Sequence, residues 1–321
     1  MKLGVFTTLM SNKPLKDALD YFASIGIEAV EIGCGGYPGK AHADPDILLN
    51  DETKFQEFMK TIKDSGLAVS ALSCHGNPIH PNKEIAARYK KIFEDAVLLA
   101  EKMGIKRINT FSGCAGDCET AKYPNWVTCP WPDDFLKILD WQWNEVLIPY
   151  WKEAVEFAKA HGVDKIGLEL HPGFMVYNTE TLLKLREAVG PEIGANLDPS
   201  HLIWQQMDPT LVIKELGNAI FHFHAKDTRV DKYNTAKNGV LDTKRYSKIA
   251  DRSFVFRTVG YGNGESFWRD IISALKTAGY DYVVSIEHED ALMSKNEGLE
   301  KAADFLNNLL IKDTAGEMWW A

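Results

Sequence analysis

Between Ile166 and Asp227, three short apolar runs each stop at a carboxylate or an imidazole. They read Ile-Gly-Leu-Glu169-Leu-His171, Ala-Asn-Leu-Asp198-Pro-Ser-His201 and Phe-His222-Phe-His224-Ala-Lys226-Asp227. A fourth, Val-Val-Ser-Ile-Glu287-His288-Glu289, follows near the C-terminus. Such runs read as buried parallel strands, because a strand covered on both faces need not alternate polar and apolar residues. When strands alternate with helices and close on themselves, the C-terminal strand ends form one face. Glu169, Asp198, His224 and Glu287 would then meet at one mouth. Three carboxylates and an imidazole at one point repel one another unless a divalent cation sits among them. The pattern predicts a metal site at the top of a barrel.

The rest of the chain supplies the elements that such a barrel needs. Strands are predicted at Leu3–Thr7, Ala29–Ile32, Ala68–Ser73 and Arg107–Phe111, ahead of the three runs above, with a last one at Tyr282–Ile286. Helical spacing of apolar residues falls between them at 14–24, 55–65, 83–103, 135–161, 179–189, 209–216, 267–278 and 299–311. Glycines close several of these helices, among them Gly26, Gly66 and Gly104. Eight strands in strict alternation with helical segments imply parallel pairing through right-handed crossovers. The expected fold is α/β, a single-domain (β/α)8 TIM barrel over residues 1–321. The segment 112–133, with Tyr123, Trp126 and Trp131, is long for a loop and is expected to cover the mouth. The polar stretch 229–252 reads as a connection, and Gly260-Tyr-Gly-Asn-Gly264 as a turn. That turn precedes the last helices, where barrels often hold a phosphate, but it carries no Lys or Arg.

Charge and composition exclude several classes. A formal charge of −9 opposes binding to nucleic acid, which needs a basic footprint. No apolar run approaches the ~20 residues that span a bilayer, and the N-terminus leads straight into a strand. A cytoplasmic protein is expected, with no membrane partner. Five cysteines, an odd number, suit a reduced compartment. Cys114 and Cys118 lack a second ligand pair for a zinc clip. The apolar tail 316–321 is expected to dock on its own barrel or on a partner subunit of a homo-oligomer.

At Glu169, at Asp198-Pro-Ser-His201, at His222-Phe-His224-Ala-Lys226-Asp227 and at Glu287 the chain resembles the xylose-isomerase-like superfamily of sugar isomerases and epimerases. That group includes ketose 3-epimerases, inosose isomerases and dehydratases, and endonuclease IV relatives. The resemblance runs along essentially the whole chain in element order. It implies one divalent metal, manganese in the first place, with magnesium, cobalt, iron or zinc in some members. It also implies Glu169, Asp198, His224 and Glu287 as ligands, with His201 touching a carbohydrate substrate instead. The implied activity is isomerisation or epimerisation of a sugar or keto-sugar through an enediolate, with Glu169 and Glu287 as the catalytic pair that moves the proton. The same enediolate can expel a β-substituent, which would make the enzyme a lyase or dehydratase. A phosphodiesterase of the endonuclease IV kind needs a histidine at the end of strand four, where Asn109-Thr110-Phe111-Ser112 has none. A non-catalytic sugar-binding barrel is the remaining alternative.

Single residues carry bland readings too. Asp198-Pro-Ser resembles an ordinary helix N-cap. Of His222 and His224, only one is expected to enter the mouth, on the reading that they point to opposite faces. His224 is nearer the strand end, which leaves His222 in the core. His171 shares a face with Glu169, one step further out, as a substrate contact. His75, just past strand three, is also within reach. Lys226 and Asp227 could bond sugar hydroxyls, and Trp204 could stack on a sugar face or simply pack the core.

Overall fold

The computed structural model describes residues 1–314, 316–318 and 320. Among them the barrel strands are β1 (Lys2–Phe6), β2 (Ala29–Gly33), β3 (Ala68–Ser73), β4 (Arg107–Thr110), β5 (Lys165–Glu169), β6 (Ile193–Leu197) and β7 (Ile220–Ala225). A hairpin follows, β8 (Asp227–Val230) and β9 (Phe254–Arg257), and then the last barrel strand β10 (Val283–Ile286). The eight barrel strands pair in parallel and close in the order β1-β10-β7-β6-β5-β4-β3-β2. Helices lie between successive barrel strands. This is the expected (β/α)8 barrel.

Local chemistry explains where the elements start and stop. The helix Lys83–Met103 is capped by Asn82, whose side chain accepts from the amides of Glu84 and Ile85 at 3.0 and 3.3 Å. It buries Phe93, Ala96, Val97 and Ala100, the three-and-four spacing of one face. It ends at Gly104, whose φ of 71° is left-handed. Gly36, in the turn after β2, has φ +69°, and a Cβ there would lie 2.0 Å from the His75 carbonyl oxygen. Only glycine lets that turn approach the β3 end so closely.

Two expectations change. The helix expected over 135–161 is broken into Asp134–Trp141, a π-helical turn Gln142–Leu147, and Ile148–Ala160. Pro149 lacks the N–H that an α-helix would need there, and a wider turn absorbs the misfit. The turn buries Gln142, whose amide donates to the carbonyls of Gly116 and Asn125 at 2.9 and 2.7 Å. That pins the long loop. The polar connection 229–252 is flanked by the β8–β9 hairpin, which pairs Asp227 with Arg257 and Val230 with Phe254. A helix, Lys232–Asn238, lies inside it. The polar sequence Asp-Thr-Arg-Val hid β8, whereas β9, Phe-Val-Phe-Arg, is a short apolar strand just past the polar stretch. The tail expectation falls partly on Trp319 and Ala321, outside the described residues. Met318 and Trp320 are exposed. Among the described residues no helix is long and apolar enough to cross a membrane. All five cysteines are free.

Candidate metal centre and active site

Four neighbouring strands of the barrel end at the same place. Glu169 closes β5, Asp198 follows β6, His224 stands near the end of β7, and Glu287 follows β10. One potential ligand atom from each lies within 4.8 Å of all the others. Asp198 divides its two oxygens between two tasks. Oδ1 accepts from the Ser200 amide at 2.8 Å and caps the short helix Pro199–Trp204. Oδ2 is buried and has no hydrogen-bond partner, with His201 Nε2 at 3.2 Å and Lys226 Nζ at 3.7 Å as nearby nitrogens. An orphaned buried carboxylate oxygen facing two more carboxylates and an imidazole fits a hard or borderline divalent cation.

The sequence reading missed Glu31. It lies in β2 with no exposed surface. Its carboxylate accepts from the Ser73 hydroxyl, from Asn109 Nδ2 at 2.9 Å, from Ser285 Oγ at 3.2 Å, and from His224 Nε2 at 2.7 Å. Burial alone would raise its pKa, but the positive charge of His224 and these hydrogen bonds hold it far below the usual carboxylate range. His224 Nε2 therefore donates to Glu31 and its Nδ1 faces the cluster, 3.1 Å from Glu287 Oε2 and 3.7 Å from Glu169 Oε2. Burial would lower its pKa, but Glu31 and Glu287 raise it well above the usual imidazole value, so a metal would displace the Nδ1 proton. A carboxylate behind a ligand histidine fixes its tautomer and raises its basicity. A lone charge inside an apolar strand was the available signal.

His222 also turns inward. Residues two apart on a strand share a face, so the expectation that His222 and His224 point to opposite sides was wrong. The two rings sit 5.6 Å apart, centre to centre. His222 lies one layer deeper, with Nδ1 3.0 Å from Asn196 Oδ1 and Nε2 3.1 Å from Ser70 Oγ. Burial drives its pKa down to about 3, which keeps it neutral. It is a satisfied core histidine.

Three further histidines converge on Glu169. His201 Nε2 is 3.1 Å from Oε1, and His75 Nε2 is 3.0 Å from Oε2, though out of line for a hydrogen bond. His171 packs on His201, ring centres 4.2 Å apart, and burial followed by the His201 charge lowers its pKa to about 4. Lys226 is buried, not a solvated rim charge. Its Nζ lies 2.6 Å from Glu289 and 3.3 Å from Glu287. Asp198 is pushed up to about 7 by burial and by Glu287 and Glu169, against the pull of Lys226 and His224.

A cavity of about 380 Å³ opens above this cluster, with Phe6, Tyr37, His75, Phe111, His171 and Lys226 among its walls. The aromatic walls are Phe6, Tyr37 and Phe111, not Tyr123, Trp126 or Trp131 of the long loop. Tyr123 and Trp131 are 79 % and 74 % exposed, and Trp126 packs edge-on against Tyr177. Trp204 lies flat on Phe254, ring centres 4.6 Å apart, and packs the hairpin without lining the cavity. Asp227 has no free capacity for a sugar hydroxyl. Its Oδ2 accepts from the amides of Gly260, Gly262 and Asn263 and from Trp268 Nε1 at 2.9–3.1 Å.

The comparisons with known proteins agree with this architecture. The protein YfiH of Bacillus subtilis (strain 168) is 38% identical over 97% of this chain and 99% of its own. An inosose dehydratase of Geobacillus thermodenitrificans (strain NG80-2) is 28% identical over 149 residues, 46% of each chain. Among solved structures, a D-tagatose 3-epimerase-like protein superposes with a TM-score of 0.65 at 21% identity, over 96% of this chain and 98% of that one. A probable 3-DHS dehydratase of Bacillus anthracis, AsbF, gives 0.68 at 18% identity, over 96% and 99%. The family description "Xylose isomerase-like TIM barrel" matches residues 19–309, and the chain belongs to that family.

Proposed function

We propose that this chain is a divalent-metal-dependent sugar isomerase or epimerase, acting on the carbon beside the carbonyl of a keto-sugar. The observation that carries the reading is the donor set: four strand ends converge, and one of their buried oxygens, Asp198 Oδ2, lacks a partner. Glu169, Asp198, His224 and Glu287 would hold the ion, and the oxygen-rich set suits manganese or magnesium, with cobalt, iron or zinc as alternatives. Bound there, such an ion supplies Lewis acidity to adjoining carbonyl and hydroxyl oxygens and eases formation of an enediolate.

The protein's own groups do the rest. Glu169 and Glu287 come from β5 and β10, three places apart around the barrel. They reach the cavity from different sides, so one can take the proton and the other return it. Burial would raise Glu287, but Lys226 and His224 bring it to about 2, so it stands ionised and ready to accept. His201, His171 and His75 offer ring nitrogens to substrate hydroxyls, and Lys226 balances the surplus of carboxylates.

A second reading, a dehydratase, is favoured by the relative named an inosose dehydratase, although it matches only about half of this chain. One experiment addresses both. Metal-stripped and manganese-restored protein is incubated in D₂O with a panel of ketoses and keto-cyclitols, followed by NMR. Deuterium at the carbon next to the carbonyl, dependent on metal and abolished by chelator, is expected. An epimer as product supports the first reading, and loss of water supports the second. Equally fast exchange by metal-free protein refutes both.

A further inference from the structure

The cleft continues beyond the cluster. A second chamber of about 330 Å³ adjoins the cavity, and His171 and Glu289 line both. Its other walls are Tyr246, Val255, Phe256 and Ala291. Val255 and Phe256 belong to β9, and Tyr246 comes from the segment that the hairpin encloses. Phe256 is the chamber's wall toward the cluster. It meets His201 edge-on at 5.5 Å, carries Lys226 Nζ 4.4 Å from its ring centre, and has Tyr246 stacked at 5.6 Å. Arg252 braces Tyr246 at 4.3 Å, yet Tyr246 stays 56% exposed.

Small-molecule sites run from about 300 to 1,000 Å³, so the cavity over the cluster already suffices for one sugar ring. The second chamber is surplus to a monosaccharide. Resting on the function proposed above, we infer that it is a subsite for a second sugar ring, so that the substrate is a glycoside of the reacting sugar. The aromatic walls suit the apolar C–H face of a pyranose. Glu289, exposed and paired with Lys226, and His171, whose Nδ1 meets the Pro172 carbonyl, stand at the junction, where ring-edge hydroxyls can add hydrogen bonds that a purely hydrocarbon substituent cannot. The Lys226–Glu289 pair, 2.6 Å apart, lies between the two rings.

The test uses magnesium-loaded full-length protein and calorimetry. Probes are D-fructose and three glycosyl-fructoses of different linkage: turanose, lactulose and isomaltulose. At least one disaccharide is expected to bind about tenfold tighter than D-fructose, roughly the worth of one well-stacked ring. Tyr246→Ala should remove that advantage by losing the wall, and Ala291→Trp should remove it by filling the chamber. The inference fails if no disaccharide binds more tightly than D-fructose, including the case where nothing binds. It also fails if the preference survives either substitution. Failure of the metal reading looks different. Chelator would then leave every affinity unchanged while the Tyr246 effect persisted.

Discussion

Replacing Glu31 by Gln keeps the volume of a fully buried side chain but reverses part of its chemistry. All four partners of the carboxylate are donors: the Ser73 and Ser285 hydroxyls, Asn109 Nδ2 and His224 Nε2. A glutamine has one accepting oxygen, and its NH₂ must face two of those donors. The serines can rotate their hydroxyls, and the imidazole can change tautomer. If the NH₂ faces His224, the histidine moves its proton to Nδ1, the nitrogen turned toward Glu287 and Glu169. A protonated Nδ1 cannot ligate. Loss of such a partner typically lowers metal affinity 10–100-fold, about 1.4–2.7 kcal/mol. The lost charge-assisted bonds should also destabilise metal-free protein by about 1–3 kcal/mol. Manganese titration by calorimetry reads the first quantity, and denaturant unfolding of metal-free protein reads the second. A Glu31→Gln protein that folds and binds manganese with the wild-type Kd refutes the reasoning, since His224 would then not need Glu31 to choose its tautomer.

Glu287→Gln retains an oxygen ligand but removes a base, so kcat should fall ~10²–10⁴-fold with metal content unchanged. His201→Asn should raise KM more than it lowers kcat, and the reverse pattern would make His201 the proton carrier. Because Asp198 stands near 7 in the metal-free site, an incoming ion must displace its proton below that pH. His224, raised well above the usual imidazole value, must release a proton as well, so manganese Kd should rise by at least about tenfold per pH unit as pH falls below 7, with proton release seen as a buffer-dependent binding enthalpy. Asp227→Asn turns an NH₂ toward amide donors and should destabilise the fold by roughly 1–3 kcal/mol in a denaturant titration.

The barrel was legible because its signal is repeated: eight apolar runs, each followed by helical spacing, leave little room for another topology. The convergence of Glu169, Asp198, His224 and Glu287 was legible for the same reason, each standing at or near a strand end. Glu31 escaped because it stands in the middle of Ala-Val-Glu-Ile-Gly, not at its edge. Its meaning depends on β1, β10 and β7 closing beside β2. Distance along the chain hides that, since His224 is 193 residues away. The hairpin escaped because its strands flank a polar insertion whose apolar anchor, the Trp204–Phe254–Phe256 cluster, joins distant segments. His222 was misplaced by an error of periodicity, not by any ambiguity in the sequence.

The turn around Asp227 bears on what this end of the barrel can hold. Consecutive amides curled around a point make an anion receptor, and glycine-rich turns at this place in a barrel commonly receive a phosphate. Here the receptor is filled from within the same chain: the Asp227 carboxylate takes the amides of Gly260, Gly262 and Asn263 together with the indole N–H of Trp268. A phosphate arriving there meets spent donors and a resident negative charge. The guest has been replaced by a tether that ties the last part of the barrel to the end of β7. The side chain that holds the turn together thus also closes it as an anion receptor.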